Sequence, residues 1–132
     1  MVLVDTNVLL DVLQDDPQWA EWSIGQLRAQ ARVHVLAINP VIYAEISLSF
    51  SSLEALDAVV ARLALEVQEI PMAALFLAGK ALATYRKRGG SKAQVLPDFF
   101  IGAHAAVNRW PLLTRDASRF RTYFPSLAVV AP

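Results

Sequence analysis

The chain opens on Val2, Leu3 and Val4, an apolar run too short for a helix and halted by an acid, Asp5. A strand with no polar residue on either face must be buried from both sides, as in the interior of a parallel sheet. Four further short runs have the same character: Val33 to Ile38, Val67 to Ile70, Pro111 to Thr114 and Leu127 to Val130. Helix-start signals lie between them. Asp16-Pro17 and Asn39-Pro40 each put a capping side chain before a proline at the first helical position, and Ser51-Ser52-Leu53-Glu54 reads as a capping box. The predicted helices run from Pro17 to about Gln30, from Pro40 to about Leu48, from the capping box to about Leu65, from Pro71 to Gly89-Gly90 and from Pro97 to about Asn108, with another directly after Asp5. At Gly89-Gly90 a glycine can take the left-handed cap conformation. Strands alternating with helices predict an α/β fold, a single domain over residues 1–132 with a central, mainly parallel five-stranded sheet flanked by helices on both faces.

Hydrophobic residues make up 55% of the chain and charged ones only 18%, which excludes a disordered chain and leaves apolar surface to face partners. With no cysteine there is neither a disulfide scaffold nor a thiolate zinc site. No uncharged stretch approaches the ~20 residues of a membrane span, and MVLVDT lacks the basic start of a secretory signal, so a cytoplasmic protein with no membrane partner is expected. Charge is unevenly placed. Through Ile70 there are three basic residues against ten acidic; from Pro71 onward there are nine against two. The basic half suggests an anionic partner, unless the halves interleave in space and cancel.

Most acids, among them Asp15, Asp16, Glu21, Glu54, Asp57, Glu66 and Glu69, sit at caps or on wet helix faces, and Asp11 reads as surface too. Four do not. Asp5 and Asp116 lie just beyond the carboxyl ends of buried strands, the edge where open parallel sheets bind ligands. Glu45 lies in NPVIYAEISLSF with mostly apolar helical neighbours, and Asp98 in the first turn of LPDFFIGAHAAV. Burying an ionised carboxylate alone costs several kcal/mol at least. Either each acid pairs with an arginine or a backbone cap, or the group shares a hard divalent cation such as Mg²⁺, for which carboxylate oxygens are the preferred ligands, or Mn²⁺.

The blocks VLVDTNVLLDVL, NPVIYAEIS, LPDFFIGAHA and PLLTRDASRF resemble, in order and spacing, those of PIN-domain nucleases, and most closely the VapC-type toxins of bacterial toxin–antitoxin pairs. The similarity spans essentially the whole chain. It implies a metal-dependent endoribonuclease whose acidic quartet falls on Asp5, Glu45, Asp98 and Asp116, with Thr6, Asn7 and Thr114 at supporting polar positions. Asp5, Asp98 and Asp116 are then the expected ligands of Mg²⁺ or Mn²⁺, and Glu45 orients the attacking water or binds a second metal. The resemblance also implies 5′-phosphate and 3′-hydroxyl products, a cognate VapB-type antitoxin and a homodimer.

The basic half offers phosphate contacts at Arg86, Arg88, Lys92, Arg115 and Arg119, with Lys87 and Arg121 beside them. Arg86 to Arg88 equally suit a helix C-terminus. His104, among Ala103, Ala105 and Ala106, reads as a packed helical residue, and His34 as part of a strand. Two rival classes remain. A phosphotransfer or phosphatase-type domain also puts Asp after its first strand, but wants a second Asp two residues on, where this chain has Asn7, and a Lys near a late strand, whereas none follows Lys92. A non-catalytic RNA- or protein-interaction module would keep the fold without turnover.

Overall fold

In the computed structural model, which describes residues 1–92 and 95–132, five strands form one all-parallel sheet: β1 (Val2–Val4), β2 (Leu36–Ile38), β3 (Glu66–Val67), β4 (Leu112–Leu113) and β5 (Val129–Val130). Their order is β3-β2-β1-β4-β5. Val2, Leu3 and Val4 are wholly buried, so both faces of the central strand are covered, as its unbroken apolar run demands. Leu3 pairs with Ala37 of β2 on one side and with Leu112 of β4 on the other. The chain therefore winds outward from β1 to β2 and β3, then crosses back to lay β4 on the other flank of β1. That reversal opens a crevice at the carboxyl ends of β1 and β4, the ligand-binding place of such sheets.

Seven helices pack around it: α1 (Thr6–Leu13), α2 (Ala20–Ala31), α3 (Pro40–Ser47), α4 (Leu53–Arg62), α5 (Met72–Lys87), α6 (Leu96–Asn108) and α7 (Ser118–Tyr123). Asn39 caps α3 as its pairing with Pro40 predicts, its Oδ1 accepting a 2.9 Å hydrogen bond from the Ile42 N–H. Gly89, at φ +85°, supplies the left-handed residue after α5. α6 and α7 meet closely at Gly102, where a Cβ would lie 2.5 Å from the Phe124 ring. Phe99, Tyr85, Tyr123 and Phe124 pack edge to face and tie α5, α6 and the end of α7 together.

Several boundaries differ from the sequence reading. Residues 33–35 are not strand: the end of α2 winds on through turns, the His34 N–H reaching the Gln30 carbonyl, and Val33 is left exposed. Asp16 caps a turn, accepting from the Gln18 and Trp19 N–H groups, so α2 begins only at Ala20. Ser52, not Ser51, caps α4, its Oγ accepting from the Ala55 N–H. β3 lies at Glu66–Val67 on the sheet edge, earlier than the Val67 to Ile70 run, because the Gln68 N–H pairs with the Ile38 carbonyl and pulls the preceding residues into register with β2. No helix among the described residues is long and apolar enough to cross a membrane.

Candidate active site

Asp5 stands where β1 ends and α1 begins. Its backbone N–H still belongs to the sheet, donating to the Leu113 carbonyl at 2.9 Å, while its carboxylate caps α1 by accepting from the Thr6 N–H at 2.7 Å. The other carboxylate oxygen accepts from the Thr114 hydroxyl at 2.8 Å, reached directly across from the end of β4. The side chain is 5% exposed. Burial pushes its carboxyl up to about 7, and the negative charges of Asp98 and Glu45 act in the same sense; the hydrogen bonds from Thr114 and Thr6 offset this only in part.

The other acids arrive from separate elements. Glu45, half-buried on α3, accepts a 2.6 Å hydrogen bond from the Thr6 hydroxyl, so Thr6 links it to Asp5. Asp98 occupies the first turn of α6, where the helix dipole favours a carboxylate, and is ion-paired with Arg119 of α7. Burial and the charge of Asp116 nevertheless hold Asp98 above the ordinary carboxylate range, against the pull of Arg119. Asp116 is exposed on the loop after β4. Its backbone N–H donates to the Thr114 hydroxyl, and Asn7 steadies the same loop by accepting from the Arg115 N–H at 3.1 Å. Thr6, Asn7 and Thr114 thus form the polar frame expected of them.

Asp5, Asp98 and Asp116 line one cleft of about 400 Å³, together with Asn7, Lys92 and Arg119. Glu45 stands behind Thr6, close enough for its charge to act on Asp5. In charge and donor type the cleft fits a hard divalent cation: a buried carboxylate raised by its like-charged neighbours is what a cation relieves. In geometry it is open. Among the described residues no three acidic or histidine side chains converge as a ready ligand set, and Asp98 is engaged with Arg119. Ligation by Asp98 therefore requires that ion pair to loosen.

Asp11 corrects the sequence reading, which placed it on the surface. It is 3% exposed and accepts hydrogen bonds from Arg115 Nε at 3.0 Å, Arg115 Nη2 at 3.1 Å and Ser23 Oγ at 2.7 Å. The Arg115 guanidinium also lies over the Trp19 ring. Of the expected phosphate contacts, Arg115 is thus spent on Asp11 and Arg119 on Asp98, whereas Lys92 lines the cleft. His104 is buried, its Nδ1 3.2 Å from Asn39 Nδ2, which makes Nδ1 the acceptor and leaves the proton on Nε2. It supports the cap of α3 and takes no place in the cleft.

A five-stranded parallel sheet with acids gathered at its switch point is matched by one family model, the PIN domain, over residues 2–124. The chain belongs to the PIN-domain family. Solved structures of the same fold include VapBC2 from Rickettsia felis bound to a DNA fragment from its promoter, with a TM-score of 0.76, 18% identity, and 100% of this chain and 99% of that one covered. DNA-bound VapBC from Salmonella typhimurium gives 0.72 and 19%, covering 98% of this chain and 96% of that one. VapBC-1 from nontypeable Haemophilus influenzae gives 0.71 and 18%, covering 99% and 98%. No curated protein matches the sequence significantly. For this PIN domain the four sequence-selected acids, drawn from four separate segments, surround one crevice, while the Asp11–Arg115–Ser23 network beside it had no sequence signal.

Proposed function

We propose that this PIN domain is a metal-dependent endoribonuclease, the toxin of a toxin–antitoxin pair. One observation carries the reading: Asp5, buried at the switch point, is pushed up to about 7 by desolvation and by the charges of two further acids. A fold maintains such a cluster against its own repulsion where a cation is to be held.

Asp5, Asp98 and Asp116 would hold Mg²⁺ or Mn²⁺, which when bound supplies a water of lowered pKa and positive charge for the phosphate oxygens. Glu45, anchored through Oε1 by the Thr6 hydroxyl, keeps its second oxygen for the proton of the attacking water. Thr114 and Thr6 hold Asp5 so that its oxygens cannot rotate away, and Asn7 fixes the loop that carries Asp116. Water adds to phosphorus as the bond to the 3′ oxygen breaks, leaving 3′-hydroxyl and 5′-phosphate ends. Arg86, Arg88 and Lys92 are the proposed backbone contacts, with Arg119 joining them when it leaves Asp98; Arg115 serves the loop instead. The neighbouring VapBC complexes support a VapB-type antitoxin as partner, and the exposed Met72 and Phe76 on α5 support a protein-covered face, here assigned to partner and homodimer contacts. Such an activity belongs in the cytoplasm, where RNA and antitoxin are both present.

The phosphotransfer alternative loses ground at position 7, where Asn7 is occupied in holding the Arg115 N–H and facing Thr114. The test is incubation of the purified chain, freed of any partner, with end-labelled single-stranded RNA and Mg²⁺ or Mn²⁺, followed by EDTA. Cleavage leaving 5′-phosphate ends and stopped by EDTA is expected. Cleavage that survives chelation overturns the metal assignment.

A further inference from the structure

A cleft walled by three carboxylates repels a polyanion, so affinity for a nucleic-acid strand must come from outside it. Thr122 and Tyr123, at the end of α7, line the acidic cleft and also line a second cavity of about 310 Å³. The second cavity has the opposite character: Lys80 and Arg88 line it with Thr84, and no carboxylate does. Neither cation has an acidic partner among the described residues. Each is steadied by an aromatic ring instead, Lys80 Nζ 5.0 Å from the centre of Phe76 and the Arg88 guanidinium 5.5 Å from that of Tyr123. Cation–π contact orders a charged head without neutralising it, and so leaves its field available to an anion. Tyr123 is itself locked edge to face against Tyr85 and Phe99, which makes the partition between the two cavities a fixed one.

We propose that the cavity bounded by Lys80, Arg88 and Tyr123 is a substrate subsite, in which a nucleotide flanking the scissile phosphate of a single-stranded RNA binds with its backbone phosphate against Lys80 and Arg88. The strand crosses Tyr123 and places adjacent phosphates in opposite fields, one above the acids where it is cut and the next on the two cations where it is held. The division also accounts for part of the charge asymmetry along the chain. Of the basic residues after Pro71, Arg115 and Arg119 are spent on Asp11 and Asp98, whereas Lys80 and Arg88 are not. Lys80 was absent from the phosphate contacts suggested by sequence, because nothing in the sequence brings the middle of α5 beside the end of α7.

This inference rests on the ribonuclease reading, and its test separates the two. Binding of a fluorescent single-stranded RNA is measured by anisotropy across a salt series, with Asp5→Asn as the background so that no strand is cut. Lys80→Gln with Arg88→Gln is expected to weaken binding about tenfold near 0.1 M salt and to flatten the slope of log affinity against log salt by about 1.4, roughly 0.7 for each lost phosphate contact. Arg88→Lys, which keeps the charge, should retain the parent slope. In the cleaving protein the double substitution should raise KM with kcat little changed, since it removes binding remote from the reacting atoms. An unchanged affinity and slope in a double variant that melts like its parent overturns the subsite while RNA cleavage still stands. Absence of any metal-dependent RNA cleavage by the unsubstituted chain instead overturns the reading beneath it.

Discussion

Asp5→Asn should abolish RNA cleavage, by ~10³-fold or more, and at the same time make the metal-free protein more stable at pH 8. The two effects have one cause. Burial and the charges of Asp98 and Glu45 raise this carboxyl from 3.8 to about 7, so between those values the folded chain holds a proton that the unfolded chain has released. Its contribution to stability is therefore full below about pH 4 and is lost as the pH rises through about 7, a difference on the order of 4 kcal/mol. Asn carries no charge to desolvate. Its oxygen can still accept from the Thr6 N–H, and the Thr114 hydroxyl can turn to accept from its amide, so most of the gain should survive. Denaturant unfolding in EDTA at pH 5 and pH 8 reads it: the variant and its parent should be close at pH 5 and separated by about 2–4 kcal/mol at pH 8 in the variant's favour. A variant less stable than its parent at pH 8 would show that Asp5 is a satisfied structural acid.

Asp11→Ala should behave in the opposite way. Asp11 is as buried as Asp5, yet its carboxylate meets a two-pronged guanidinium and a serine hydroxyl. Removing it leaves the Arg115 charge without its partner and strands the Ser23 hydroxyl in the interior, a loss of about 3 kcal/mol and roughly 10 °C in Tm. Arg115→Ala alone should also destabilise, and the double substitution should cost less than the two singles together, because neither residue is then left unpaired. A loss under about 0.5 kcal/mol for Asp11→Ala would mean that the ion pair contributes nothing. Activity should fall as well, since Arg115 adjoins Asp116 and its backbone N–H is held by Asn7.

The contrast between these two aspartates marks what could be read before the fold was known. Asp5 was conspicuous because a wholly apolar strand ran into it, and Asp98 because Pro97 announced the helix whose first turn it occupies. Glu45 stood out through its apolar helical neighbours, on a helix whose start Asn39-Pro40 had signalled. All of this is local. Asp11 was misread because its partner lies 104 positions away, and no local pattern distinguishes an acid facing water from one facing a distant arginine. The Arg119–Asp98 pair was hidden for the same reason: α7, only six residues long, has neither a capping signal nor enough length for helical periodicity. Val33 and Val35 misled in the other direction. Their β-branched run resembles a strand, but the end of α2 uses the preceding backbone groups for its own turns, and only Leu36–Ile38 is left to pair with β1.

Calorimetric titration of Mn²⁺ into the purified, partner-free chain at pH 6 and pH 8 reads the acid cluster most directly. A cation held by Asp5 must displace its proton at the lower pH, so binding should be about tenfold tighter at pH 8, with close to one proton released per ion at pH 6, and should be lost in Asp5→Asn. Affinity that ignores pH and persists undiminished in Asp5→Asn would contradict the assignment of this cleft as the metal centre.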